Sequence, residues 1–118
     1  MRDLDSIVML GLMSGQVRDN PAESRYEVFS DGQLAGFAQY ALRGDRITMF
    51  HTEVDPAFEG GGLGGELARE ALDDVRSRGL TVEPLCPFIA SFIRHHADAY
   101  LDLVVPEMRE KVTRHAHS

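Results

Sequence analysis

Cysteine and tryptophan are scarce in this chain: its 118 residues include one cysteine and no tryptophan. A disulfide needs two cysteines, so the single Cys86 excludes an intrachain disulfide, and this is what a reducing compartment allows. Long hydrophobic runs are also missing. The run IVMLGLM at residues 7–13 has Asp3 and Asp5 on its N-terminal side and lacks a small-residue cleavage pattern. We therefore expect no signal peptide and a cytoplasmic location.

Basic residues are outnumbered, because 12 Lys and Arg stand against 19 Asp and Glu, which gives a formal net charge of -7 at pH 7. Binding to nucleic acid depends on basic side chains that neutralise phosphates, so we predict no nucleic-acid partner. Hydrophobic residues at 43% and charged residues at 26% are typical of globular proteins, and they favour neither disorder nor a membrane partner. We expect one domain at residues 16–118, preceded by a flexible N-terminal extension at residues 1–15.

Three strand patterns follow one another closely, at Arg25–Ser30, at residues 34–42 and at Arg46–Val54. Asp31-Gly32 joins the first pair and Arg43-Gly44-Asp45 joins the second, and both sequences are typical of hairpin turns. These patterns predict an antiparallel meander, and a further short strand is compatible with residues 16–19.

The third of these strands has apolar residues on both faces, so we expect both faces of the sheet to be covered. The period of two assigns one face to Ile47, Met49, His51 and Glu53 and the other face to Thr48, Phe50, Thr52 and Val54.

Residues 62–78 have the clearest helical pattern of the sequence, with apolar residues every four positions and Gly79 as a C-terminal stop. The segment LTVEPL at residues 80–85 predicts a short buried strand. Pro84 cannot donate a ladder hydrogen bond, which implies a gap beside that strand. Pro87 can begin a second helix, and Pro106 can begin a last short one.

The link between the third strand and the first helix is rich in glycine and reads EGGGLGGEL at residues 59–67. The first amides of a helix lack intrahelical partners and carry the positive end of its dipole, and glycines let a phosphate approach closely. The turn therefore predicts a site for a phosphorylated cofactor, and a flexible turn without a ligand is the alternative.

Three kinds of phosphate site can be compared with this turn. Gly60, Gly62 and Gly65 satisfy the spacing of a dinucleotide-binding loop, but the antiparallel strands before them contradict that context. A Walker-type loop is excluded because no Gly-Lys-Ser/Thr follows. The third possibility is the turn that holds the pyrophosphate of coenzyme A (CoA) in GNAT-type N-acetyltransferases.

Four sequence elements follow the order that is found in the small, minimal GNAT proteins: HTEV at residues 51–54, EGGGLG at 59–64, CPF at 86–88, and Tyr100 with Leu103-Val104. On these elements the chain resembles that family from about residue 20 to residue 104. It departs from the pattern at Glu59, where the wider superfamily has Gln or Arg, and in the stretch HHADAY, which is one residue longer.

The resemblance implies an α/β (α+β) fold: a GNAT-like mixed, mostly antiparallel twisted sheet with helices on both faces and CoA held at a splay between the central strands. It also implies acetyl-CoA as the cofactor and an amine as the acetyl acceptor. The cofactor-binding residues that it implies are Glu53, Val54, Gly60, Gly61, Gly62, Leu63, Gly64, Gly65, Cys86, Pro87, Phe88 and Arg94.

The catalytic candidates implied by the resemblance are Cys86, His51, Glu53 and Tyr100. Cys86 precedes a helix start, where the dipole favours a thiolate, so it is either an acetyl-accepting nucleophile or a small residue lining the thiol pocket. His51 or Glu53 could take the proton of the amine, and a structural imidazole is the alternative. Tyr100 could protonate the departing CoA thiolate, or it is a packed aromatic. Arg94 could reach a cofactor phosphate, or it is a solvated charge.

The tight turns between residues 25 and 54 leave no room for the two helices that roof the acceptor site in larger acetyltransferases. We therefore expect an open groove for an amine on a peptide, a protein or a polyamine, in a monomer or weak homodimer. The alternatives are a CoA or acyl-CoA binding module with little or no turnover, and a plain interaction domain. The histidines and Cys86 have no recognisable zinc spacing, so we predict no metal.

Overall fold

The computed structural model describes residues 16–58 and 60–114, so the predictions that concern residues 1–15, Glu59 and residues 115–118 lie outside the described residues. The strands are β1 (Gln16–Asn20), β2 (Arg25–Ser30), β3 (Gln33–Arg43), β4 (Arg46–Val54) and β5 (Thr81–Pro84). The helices are α1 (Leu63–Ser77), α2 (Pro87–His95), α3 (Ala97–Tyr100) and α4 (Pro106–Arg114). Short 3-10 turns occupy Pro21–Glu23, Pro56–Phe58 and Leu101–Leu103.

The five strands form one sheet in the order β1-β2-β3-β4-β5. The first four are antiparallel neighbours, and β4 pairs with β5 in parallel because α1 connects them. Asp31, Gly32 and Gly44 adopt positive φ in the two hairpin turns, as the sequence predicted. The mostly antiparallel mixed sheet is confirmed, and the short strand compatible with residues 16–19 is present as β1.

The hydrophobic core lies on one face of the sheet, against α1 and α2. The buried strand side chains on this face are Tyr26, Val28, Ala38, Tyr40, Ile47, Met49 and Val82. The predicted apolar stripe of α1 is buried too, and Tyr26 donates a 2.6 Å hydrogen bond to Asp74 on that helix. Ile89 and Ile93 of α2 are fully buried beside them. Each fully buried aliphatic side chain contributes about 1.5–3 kcal/mol of hydrophobic free energy.

The opposite face of the sheet is more exposed in residues 16–58 and 60–114. Glu27 is a buried charged residue on this face, and its carboxylate accepts hydrogen bonds from Arg25 and Asn20. Phe50 is 47% exposed, and His51 and Glu53 are exposed as well. Helices α1 and α2 contribute their buried side chains to the core on the first face of the sheet in this part of the chain. No helix within it is long and apolar enough to span a membrane.

Candidate functional site

Strand β5 is paired along its whole length, but only with the first part of β4. Their pairing extends from Arg46 opposite Thr81 to Met49 opposite Pro84. The amide N–H of Cys86 then donates a 2.9 Å hydrogen bond to the carbonyl of Met49. Strand β4 continues for five more residues, and no strand among the described residues pairs with its free edge there. The gap that Pro84 predicted is confirmed.

A β-bulge interrupts β4 at the point where the strands separate. Tyr40 of β3 pairs with Met49, and Gln39 pairs with His51, so Phe50 is an extra residue without a partner in β3. An extra residue in one strand shifts the alternation of its side chains by one position.

This shift decides which side chains of β4 share a face. Thr52 pairs with Ala38 and therefore lies on the same face as Met49, whereas His51 and Glu53 lie on the opposite, more exposed face. The predicted common face for Ile47, Met49, His51 and Glu53 is wrong beyond Phe50. The predicted common face for Thr48, Phe50, Thr52 and Val54 is wrong as well, because Thr52 and Val54 lie on the core face and Thr48 does not.

Cys86 occupies the apex of the gap, at the N-cap of α2. Its side chain is only 4% exposed, and its thiol donates a 3.2 Å hydrogen bond to the hydroxyl of Thr52. Its carbonyl accepts the first hydrogen bond of α2, from Ala90. The sequence did not single out Thr52, because the uninterrupted period of two placed it away from the predicted catalytic residues.

His51 and Glu53 form a second pair of polar side chains on the other face of the same strand. The imidazole Nε2 of His51 lies 2.9 Å from a carboxylate oxygen of Glu53, and the two side chains are 48% and 61% exposed. The ring of Phe37 lies beside the imidazole, with centroids 6.1 Å apart. The structure thus brings His51 together with Glu53 and Cys86 together with Thr52, with the bulged strand between the two pairs.

The glycine-rich turn ends where α1 begins. Gly60 and Gly62 adopt φ of 91° and 80°, a region that favours glycine, and a Cβ at either position would meet no atom within 4 Å. The first hydrogen bond of α1 runs from the amide of Glu66 to the carbonyl of Gly62. The amides of Leu63, Gly64 and Gly65 therefore have no intrahelical partner, as the sequence predicted.

Gly64 joins the turn to the rest of the site. A Cβ at Gly64 would lie 2.9 Å from the ring of Phe88 and 3.6 Å from the side chain of Val54. The predicted cofactor-binding residues of β4, the turn and α2 therefore meet at this point. Phe88 is 41% exposed, so part of its ring is available to a ligand.

Tyr100 and Arg94 are held elsewhere. Tyr100 is buried and donates a 2.8 Å hydrogen bond to Asp73 of α1, and this burial raises the pKa of its hydroxyl to about 12. Arg94 donates to Ser91 of α2 and lines a cavity of about 380 Å³ between α2 and α4. Neither has a hydrogen bond to the turn or to Cys86 within the described chain.

The described residues fit a phosphorylated cofactor with a long arm. The turn offers unpaired amides in open space, the outer edge of β4 offers unpaired backbone groups, and Cys86 lies where the gap closes. No group of three or more His, Cys, Asp or Glu side chains suited to a metal is found in residues 16–58 and 60–114. A splayed sheet beside an amide-lined turn is a geometry suited to an extended anionic ligand.

Residues 25–103 match the family described as GCN5-related N-acetyl-transferase, and this match covers more than half of the chain. The chain belongs to this family. It is 44% identical over 54 residues to streptothricin acetyltransferase of Streptomyces lavendulae, a match that covers 44% of this chain and 29% of that protein. The chain thus matches less than a third of the length of that relative.

Two solved structures are similar to the fold. A GCN5-like putative N-acetyltransferase from Staphylococcus aureus is 20% identical, with a TM-score of 0.56, over 76% of this chain and 87% of the other. N-acetylglutamate synthase from Neisseria gonorrhoeae, complexed with coenzyme A and N-acetyl-glutamate, is 19% identical, with a TM-score of 0.47, over 78% of this chain and 23% of the other. The Staphylococcus aureus structure supports the mixed, mostly antiparallel fold.

Proposed function

We propose that this protein is an acetyl-CoA-dependent N-acetyltransferase that transfers an acetyl group to an amine. The observation that carries the proposal is the free edge of β4 beyond Met49, with Cys86 at one end and the glycine-rich turn at the other. Family membership supports the cofactor, because GCN5-related N-acetyltransferases use acetyl-CoA.

The residues that would hold the cofactor fall into three groups. The amides of residues 60–65 would bind the pyrophosphate, since they lie at the positive end of α1 and have no backbone partner among the described residues. The free backbone edge of β4 that ends at Val54 would pair with the pantetheine arm, because no strand of the described chain covers that edge. Pro87 and Phe88 would line the slot beside Gly64. When bound, acetyl-CoA supplies an acetyl group that is activated as a thioester.

The acceptor amine would approach on the exposed face of β4. His51 and Glu53 lie on that face as a hydrogen-bonded pair, so either side chain could accept the proton that the amine must lose. Cys86 lies on the other side, where it would line the thiol pocket or accept the acetyl group itself. The role of Tyr100 as the proton donor to the leaving thiolate stays a prediction. Its hydroxyl donates a hydrogen bond to Asp73.

The exposed face also supports an acceptor that is not enclosed. Phe50 and the His51–Glu53 pair are exposed, which suits an amine on a peptide, a protein or a polyamine. This acceptor class remains a prediction. The same is true of the oligomeric state, a monomer or weak homodimer, and of the cytoplasmic location. Saturable turnover of a small enclosed amine, with none of peptides or polyamines, would contradict the open acceptor site.

A CoA or acyl-CoA binding module with little turnover is a second candidate function. The observation that favours it is the exposure of the His51–Glu53 pair, because a general base in bulk water is poorly positioned for catalysis. Binding of acetyl-CoA without any product over a broad amine panel would favour this function over the transferase.

The first test is calorimetric binding of acetyl-CoA to the wild type and to two glycine variants. Gly62→Ala and Gly79→Ala both place a side chain at positive φ, 80° and 70°, in otherwise open space. Each should lose about 1 kcal/mol of stability. Because Gly79 lies at the far end of α1, only Gly62→Ala should weaken acetyl-CoA binding, by about tenfold or more. Equal affinities in the two variants, or no binding to the wild type, would contradict the proposed cofactor site.

A further inference from the structure

The hydroxyl of Thr52 is the side-chain group that contacts the thiol of Cys86. The two atoms are 3.2 Å apart, within the range for a hydrogen bond to sulfur, and both residues are at least partly buried. Cys86 has no second side-chain hydrogen bond among the residues that the structure describes. Any reaction of the Cys86 thiol therefore takes place next to the hydroxyl of Thr52.

The position of the hydroxyl is fixed by the backbone. The bulge at Phe50 turns Thr52 towards Cys86, and pairing with Ala38 holds it in that register. Threonine is branched at Cβ, which restricts its first side-chain torsion in a strand. On the other side of the gap, the hydrogen bond from the amide of Cys86 to Met49 fixes the backbone that carries the thiol.

We propose that Thr52 is a positioning residue for Cys86, which directs the thiol and stabilises its sulfur when the proton has left. A hydroxyl can accept one hydrogen bond and donate another, and its hydrogen rotates to suit the partner. In the structure the thiol donates to Thr52. When the thiol loses its proton, the hydroxyl rotates and donates to the negative sulfur, so the contact persists in both states.

The consequence for acetyl transfer rests on the proposed function. A thiol that lines the acyl pocket, or that accepts the acetyl group, must point in one direction at the apex of the gap. The hydroxyl of Thr52 supplies that direction. A valine at this position would fill nearly the same volume but would have no hydroxyl to hold the thiol. The contact itself does not depend on the proposed function, so it can be tested without acetyl-CoA or an acceptor.

The test is the rate of alkylation of Cys86 by iodoacetamide at fixed pH under native conditions, followed by mass spectrometry of the intact protein. Cys86 is the only cysteine, so every alkylated molecule reports this one thiol. Thr52→Val should react about tenfold more slowly, because the thiolate loses its donor. Thr52→Ser should restore most of the rate, since it returns the hydroxyl.

Thr48→Val is the matched control. Thr48 lies in the same strand but on the other face, and its hydroxyl donates a 2.7 Å hydrogen bond to Glu83. Its loss should leave the alkylation rate unchanged. The proposal is overturned if Thr52→Val reacts as fast as the wild type or faster, if Thr52→Ser does not recover, or if Thr48→Val slows the reaction equally. If the alkylation results are as expected while acetyl-CoA does not bind, the proposed function fails and the role of Thr52 stands.

Discussion

The amide of Cys86, just beyond the end of β5, donates a 2.9 Å hydrogen bond to the carbonyl of Met49 in β4. Beyond this bond β4 runs on to Val54, while the chain after Cys86 turns into α2. The thiol therefore lies at the apex of the gap because of the backbone pairing, before any side-chain torsion is considered. Substitution of the side chain at residue 86 should leave the gap in place.

Cys86→Ala should separate the two roles of the thiol. The substitution removes only the sulfur, and the backbone hydrogen bond to Met49 is kept, so acetyl-CoA affinity should stay within about twofold of the wild type. If Cys86 accepts the acetyl group, transfer should be lost and the wild type should carry an acetylated cysteine by mass spectrometry. A near-normal rate in Cys86→Ala would exclude the covalent route and leave direct transfer.

Glu53→Gln should affect turnover more than cofactor binding. Glu53 holds the imidazole of His51 at 2.9 Å on the exposed face, while the proposed cofactor contacts along β4 are made by backbone groups, which the substitution keeps. A lost general base, or the loss of its partner, lowers the rate by about 10²–10⁴. We expect a fall in kcat in this range with little change in acetyl-CoA affinity, measured by steady-state kinetics and calorimetry. An unchanged kcat in both Glu53→Gln and His51→Ala would remove this pair from the mechanism.

The faces of β4 show what the sequence could predict and what it could not. The limits of Arg46–Val54 follow from local residues, since turn residues bound the strand and apolar residues fill it. The bulge at Phe50 depends instead on which residues of β3 pair with which residues of β4. That choice is made by long-range packing, and a continuous apolar pattern does not reveal it.

The same distinction applies to the other site residues. The glycine-rich turn was predictable because positive φ and unpaired helix amides are local properties of residues 60–65. Thr52 could not be selected, because its role comes from the shifted register. Arg94 was predicted to reach a cofactor phosphate or to be a solvated charge, and only the packing of α4 against α2 shows that Arg94 lines a separate cavity.

Gly36→Ala should destabilise the fold strongly. A Cβ at Gly36 would lie 2.5 Å from the carbonyl oxygen of Glu53 and 3.1 Å from the Cα of Val54, and both are backbone atoms of β4 that cannot move alone. Overpacking of this kind costs about 1–3 kcal/mol. Denaturant unfolding should show a loss at the upper end of this range, with weaker pairing of β3 and β4 beside the gap.

Gly32→Ala is the control for Gly36→Ala. Gly32 has φ of 80° but no atom within 4 Å of an added Cβ, so its replacement costs only backbone strain, about 1 kcal/mol. If both variants lose the same free energy of unfolding, the close approach of β3 to β4 does not add to the cost of a side chain at Gly36.

Tyrosine hydroxyls connect β2 to α1 and β3 to β1 by hydrogen bonds, and they should make the stability of the fold sensitive to alkaline pH. Tyr40 donates a 2.7 Å hydrogen bond to Asp19, and Tyr26 donates to Asp74. Burial, together with the Asp19 carboxylate, raises the pKa of Tyr40 from 10.0 to about 12, and burial with Asp74 raises the pKa of Tyr26 as well. Arg78 contacts both carboxylates and joins the two hydrogen bonds into one network.

The sign of the pH effect follows from the raised pKa of Tyr40. Below about pH 10 the hydroxyl is protonated in both the folded and the unfolded chain, so its stabilising contribution is fully present. Between about pH 10 and about pH 12 the unfolded chain ionises first, and the free energy of unfolding should fall by about 2–3 kcal/mol from Tyr40 alone. Guanidinium unfolding at a series of alkaline pH values measures this loss. Tyr40→Phe should be less stable at neutral pH by about 1 kcal/mol, because it lacks the hydrogen bond, but its stability should fall less steeply above pH 10. A slope as steep as that of the wild type would show that Tyr40 does not control the alkaline limit.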